Sequence, residues 1–147
     1  MALGYKFKHY LFNAFRELFI YHHSSLEFRA KVFALIIAAN EHASECEYEV
    51  VKNTGMAIYN EEDRANTLTL TTKEFVEKIR ERKGLDIDIL IQDILRELKM
   101  IPRYAKKINI EELRPLVSCN HDEDSVSYQN SIISFLERLK KEYERIP

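Results

Sequence analysis

An all-α fold is predicted by three observations. Apolar residues recur at spacings of three and four along most of the chain, polar pairs of the kind that open helices recur between them, and only three Gly and three Pro interrupt 147 residues. Hydrophobic content of 46% with 31% charged residues is that of an ordinary globular protein, and a chain of this length buries roughly 70% of its unfolded surface. The expected architecture is a compact single-domain bundle of about seven helices built from two related helix-turn-helix halves. Residues 1–22 form an N-terminal aromatic helix in this reading, 25–60 a first half, 61–108 central helices and 109–147 a second half.

Tyr5 to Tyr21 carries Phe7, Leu11, Phe15, Leu18 and Phe19 on one helical face, which suits core packing better than a membrane interface because Glu17 interrupts the polar side. Ser24 and Glu27 stand three apart, so each side chain can satisfy the other's free amide at the start of a second helix. That helix runs to about Asn40, and its stretch from Val32 to Ala39 is apolar on nearly every side, the mark of a central hub. Ser44 with Glu47 repeats the device and opens a third helix with Val50, Val51, Ala57 and Ile58 inward. Thr71 with Glu74 predicts a fourth, through Phe75, Val76 and Ile79, approached by Leu68-Thr69-Leu70 and ended by Gly84. A fifth begins around Asp86 with Ile87, Leu90, Ile91, Ile94, Leu95 and Leu98 as its stripe, until Pro102 stops it. A sixth spans Asn109 to about Cys119, and a seventh runs from Ser125 to about Ile146 over Ile132, Ile133, Phe135, Leu136 and Leu139.

Two stretches have the same layout. Ala38-Ala39-Asn40 leads through Ser44 to Tyr48, and Ser118-Cys119-Asn120 leads through Asp124 to Tyr128, each with an apolar helix, an Asn-opened turn, a capping residue and a new helix. The pattern resembles the TerB-like domain, the helical module of tellurite-resistance proteins and of some membrane-associated J-proteins. That family shows two halves, each with small residues, an Asp-Gly turn, a capping Ser or Thr and a Glu soon after. Here the first half keeps the spacing and cap but reads Asn40-Glu41 in place of Asp-Gly, and the second, with Asn120-His121 and Asp124, loses both the Gly and the Glu. The resemblance covers most of residues 25 to 146. It implies an all-helical bundle without catalysis that binds a protein partner in a stress-response or membrane-associated assembly, and in some members acidic sites for divalent metal. The missing aspartates weigh against that last property.

Candidate chemistry gathers at the same turns. His42 and Cys46 stand four apart, Cys119 and His121 two apart, and if the turns meet they offer a Cys2His2 set suited to zinc. Harder ligands are also present in Glu41, Glu45, Glu47 and Glu49 and in Asp122, Glu123 and Asp124, without the Gly and alternation of a calcium loop. The metal-site residues read from the two turns are therefore Asn40, Glu41, His42, Glu47, Cys119, Asn120, His121 and Asp122. The bland account is stronger: acids collect at helix N-termini for electrostatic reasons, and small residues such as Cys pack between helices. Apart from that divalent cation, no cofactor is expected.

Other function classes fare worse. His22-His23 beside Ser24-Ser25 contains nucleophile and base types, yet residues adjacent in sequence before a helix supply a cap and not a triad, and no phosphate loop, nucleophile elbow or paired-Cys motif occurs. The expectation is that the chain is not an enzyme. A net charge of −2 gives no general attraction to phosphate backbones. A helix-turn-helix regulator built on Thr72 to Leu98 would present Asp86, Asp88, Asp93 and Glu97 to DNA, so a nucleic-acid partner is not expected, even with Arg103, Lys106 and Lys107 nearby. The longest apolar run falls far short of the ~20 residues that cross a bilayer, so no membrane insertion is expected. Two cysteines and no signal-peptide design predict a cytoplasmic address with reduced thiols.

Overall fold

In a computed structural model, residues 24–40, 42, 44–81 and 85–145 are described. The aromatic segment at 5–21, the His22-His23 pair, Glu41 and Gly84 lie outside the described residues. The described residues form α1 (Ser24–Ala38), α2 (Glu45–Tyr59), α3 (Glu62–Arg80), α4 (Ile87–Met100), a 3-10 helix (Pro102–Lys107), α5 (Ile110–Ser118) and α6 (Glu123–Glu144). No strand occurs among them, and the all-α fold class holds.

The hub is where the hydropathy put it. Phe28, Ala30, Val32, Phe33, Ala34, Leu35, Ile36 and Ile37 of α1 are all buried, and α1 packs against α3, α4, the 3-10 helix, α5 and α6. A helix apolar on every side removes the most surface from water when neighbours enclose it. Lys31, one of its few charged residues, reaches Glu97 of α4 at 3.0 Å and lies over the Phe75 ring.

The segment from Glu62 to Arg80 corrects the sequence reading. Thr71 and Glu74 do not open a helix, because α3 starts nine residues earlier at Glu62 and runs through them. The β-favouring threonines are accommodated by bonding backward: the hydroxyls of Thr67, Thr69 and Thr72 donate to the carbonyls four residues earlier at 2.8–2.9 Å. Tertiary packing of Ala65, Leu68, Thr72 and Val76 then outweighs the weak local preference for strand.

α2 and α3 form a tight antiparallel hairpin. Asn60 turns the chain in the left-handed region (φ 52°, ψ 36°) and donates its N–H to the Met56 carbonyl at 2.9 Å, a role Asn fills better than most residues. At the crossing, Gly55 lets the helices approach so closely that a Cβ there would lie 3.0 Å from Ala65 Cα and 3.1 Å from its Cβ. Gly55 takes the inward position expected of Ala57, which is exposed.

The later helices follow their expected starts. Asp86 accepts from the Ile89 N–H at 2.8 Å and Asn109 from the Glu111 N–H at 3.1 Å, so both are side-chain caps. Pro102 begins a 3-10 helix that closes under Lys140 of α6, whose ammonium donates to the carbonyls of Ile108 (2.6 Å) and Ala105 (3.4 Å). No described helix is long and apolar enough to cross a membrane.

Candidate functional site

The two Asn turns meet. Cys46 in the first turn of α2 and Cys119 at the end of α5 are joined by a disulfide, with Cα atoms 5.7 Å apart across 73 residues of sequence. This overturns the expectation of two reduced, separately packed thiols. It also removes the soft donors of the zinc set, because a thiolate is the metal ligand and both sulfurs are bonded to each other. Among the described residues, no group of three or more His, Cys, Asp and Glu side chains is gathered to hold a metal ion.

Behind the bridge lies a buried polar cluster. Asn40 is buried at the end of α1, where its Nδ2 donates to Glu47 Oε1 at 2.7 Å and to the His42 carbonyl at 2.7 Å, while its Oδ1 accepts from the His42 N–H at 3.2 Å. One side chain thus fixes the turn and reaches the next helix. Glu47 has 0% exposure, and besides Asn40 it accepts from Gln129 Nε2 at 3.5 Å. Gln129 also donates to the Ile36 carbonyl at 2.9 Å and accepts from Asn120 Nδ2 at 3.4 Å. Each turn Asn therefore bonds a buried side chain on the helix that follows, seven residues on in the first case and nine in the second, and those two side chains touch each other.

The capping box expected at Ser44 and Glu47 is only half made. The Glu47 carboxylate accepts the Ser44 backbone N–H, but the Ser44 hydroxyl makes no cap bond. In the second turn the cap of α6 is Asp122, not Asp124: its carboxylate accepts from the Ser125 N–H at 3.3 Å and from the Ser125 hydroxyl at 2.9 Å. Asp122 and Asp124 line a crevice of about 290 Å³ together with Arg80 and Tyr128, so a guanidinium shares the crevice with the two acids.

Arg80 is the residue that the sequence reading did not connect to this region. It sits at the end of α3, yet its guanidinium donates to the carbonyls of Asn40 and, at 3.4 Å, Ile37, the C-terminal end of α1. α1 carries no basic residue in its own last turn, so the favourable cation at its negative end comes from another helix. Gln129 was equally missed. It lies on the buried stripe of α6 with Ser125, Ile132, Ile133 and Leu136, and a lone carboxamide on such a stripe is the signal that could have found it.

Electrostatics follow from burial. Desolvation pushes the Glu47 carboxyl above its ordinary value of 4.5, against the lowering influence of its bonds to Asn40, Ser44 and Gln129 and of the Arg80 charge. Tyr48, half-buried, is pushed up to about 12, first by burial and then by the nearby Glu77 carboxylate. Its counterpart in the sequence alignment of the two turns, Tyr128, stands 48% exposed, so the tyrosines do not share a role.

Of the expected metal-site residues, Asn40, Glu47, Cys119 and Asn120 are thus brought together, but as hydrogen-bonding and covalent links between helices. His42 and His121 are exposed, and His121 instead borders an open Ser-rich face of α6 with Ser127, Ser131 and Ser134. Asp122 is spent on the cap, and Glu41 lies outside the described residues. Chemically, the cluster locks two turns into one unit: its carboxylate is an acceptor surrounded by donors and sealed from solvent. The chain matches no protein-family model, no curated protein and no solved structure.

Proposed function

We propose that this chain is a non-enzymatic helical module of the TerB-like kind that its two turns resemble, and that it works by binding a protein partner. The observation that carries the reading is the surface at the junction of α4, the 3-10 helix and α6. There Met100 stands 73% exposed, the most exposed of the large hydrophobic residues among the described residues, beside a cleft of about 440 Å³ shared with Ile101, Pro102 and Tyr143. The cleft is bordered by Arg103, Lys106 and Glu144, the last paired with Lys140 at 3.3 Å. A pliable thioether next to a proline and an aromatic ring suits an apolar protein segment, and the two cations suit acidic residues flanking it. The polar groups of the paired turns, by contrast, are turned inward and occupied with one another. A cytoplasmic address fits the module with its thiols reduced, and the joined sulfurs fit an oxidising setting.

A benzophenone side chain placed at Met100 tests the reading in cells. A discrete protein adduct is expected, lost when Arg103 and Lys106 are both changed to Glu and not formed from the same probe at Tyr128. Absence of any protein adduct, or the same adducts from both positions, would overturn it.

A further inference from the structure

We propose that the Cys46–Cys119 bond is a reversible thiol–disulfide site, opened by an external dithiol, whose state decides whether water reaches the Asn40–Glu47–Gln129 cluster. Three observations carry this. Cys46 is exposed and Cys119 half-buried, so the bond is at the surface and open to attack, unlike a disulfide sealed in a core. The bond ties the first turn of α2 to the end of α5, segments 73 residues apart. Directly beside Cys46 in sequence, Glu47 is wholly enclosed, and the groups bonded to it come from the α1–α2 turn and from α6.

The exchange balances with a dithiol as the reductant. Its thiolate attacks Cys46 Sγ, the Sγ–Sγ bond breaks, and Cys119 leaves as a thiolate that takes a proton from solvent. The second thiol then attacks the reductant's own sulfur in the mixed disulfide, releasing Cys46 and closing the reductant's disulfide. Two electrons pass to the protein, which gains two thiols. With the bridge gone, the first turn of α2 keeps the packing of Tyr48 on the core and the Asn40 and Gln129 bonds to a carboxylate whose burial is costly, and lifting that turn hydrates Glu47. The closed and lifted turns are the two states that the sulfur chemistry selects between.

Alkylation of free thiols followed by mass measurement, combined with hydrogen exchange, tests this on the whole chain before and after treatment with dithiothreitol. No free thiol is expected before treatment and two after. Amides of residues 48–51, which donate to carbonyls of the first turn, should then exchange about tenfold faster or more, while those of Leu90 to Leu98 in α4 keep their rate. Cys46→Ser should show the reduced pattern without reductant. Thiols that stay free under mild oxidant, a bond that yields only when the α4 amides also exchange, or equal rates at 48–51 in both states would each overturn the proposal.

Discussion

Gln129 Nε2 lies 2.9 Å from the Ile36 carbonyl oxygen, and this one bond ties the last helix to the hub across 93 residues of sequence. The same nitrogen donates to Glu47, so a single carboxamide links α6, α1 and α2. Replacing Gln129 by Leu leaves the Ile36 carbonyl, Glu47 and Asn120 each short of a partner. The Ile36 carbonyl keeps the Ala39 N–H, and Glu47 keeps Asn40 and the Ser44 N–H. The cost is therefore that of three lost hydrogen bonds at about 0.5–1.5 kcal/mol each, and denaturant titration should show a loss of about 2 kcal/mol or more for Q129L. A variant within about 0.5 kcal/mol of wild type would show that the cluster adds nothing to the fold.

The pH dependence of Glu47 has a definite sign. Unfolded, its carboxyl titrates near 4.5, and burial raises the folded value. Between the two, the folded chain holds a proton that the unfolded chain has released, so Glu47's contribution to stability is fully present below about 4.5 and is lost as pH rises through the folded value. Glu47→Gln removes that titration. Unfolding measured from pH 4 to pH 7 should show wild type losing stability relative to E47Q across the window, and parallel curves would contradict the assignment.

Gly55→Ala weighs two effects of opposite sign. Alanine improves helix propensity by about 1 kcal/mol, whereas the new methyl meets Ala65 Cα at 3.0 Å and Cβ at 3.1 Å. These are atoms of the α3 backbone or fixed to it, so the helices themselves must separate, at about 1–3 kcal/mol. Overpacking wins, and thermal unfolding should shift downward by a few degrees.

Thr71 gives the converse case. Its hydroxyl is fully buried in α3 and has no protein hydrogen-bond partner, unlike those of Thr67, Thr69 and Thr72. Thr71→Val keeps the shape and removes the buried oxygen, so it should stabilise the chain by about 1 kcal/mol, read as a higher denaturant midpoint at unchanged slope.

The fold was legible wherever periodicity and packing agreed. The stripe of α4, from Leu90 to Leu98, and the enclosed run of α1 follow directly from spacing. The start of α3 was not legible, because Glu61 caps it without a side-chain bond and the Thr71–Glu74 pair imitates a start in mid-helix. At the turns, Asn40 and Glu47, which the spacing offers as ligands, are bonded to each other. Spacing along one chain cannot tell a carboxylate aimed at a metal from one aimed at Asn40 and Gln129, since both call for an acceptor at the same place. The sulfur pair shares this ambiguity: a Cys in each of two turns suits a metal or a bridge, and the 5.7 Å separation that decides for the bridge is a property of the folded chain.

The enclosure of α1 bears on how this chain could drift over evolutionary time. With neighbours on every side, a methyl gained or lost at Phe28, Leu35 or Ile36 is felt by several helices at once, and accommodation needs compensating change in more than one of them. The outward faces of α2 and α5 carry no such coupling. Ancestry should therefore persist longest in the run from Val32 to Ala39, and kinship with other helical proteins is best sought there, even after every turn around it has been rewritten.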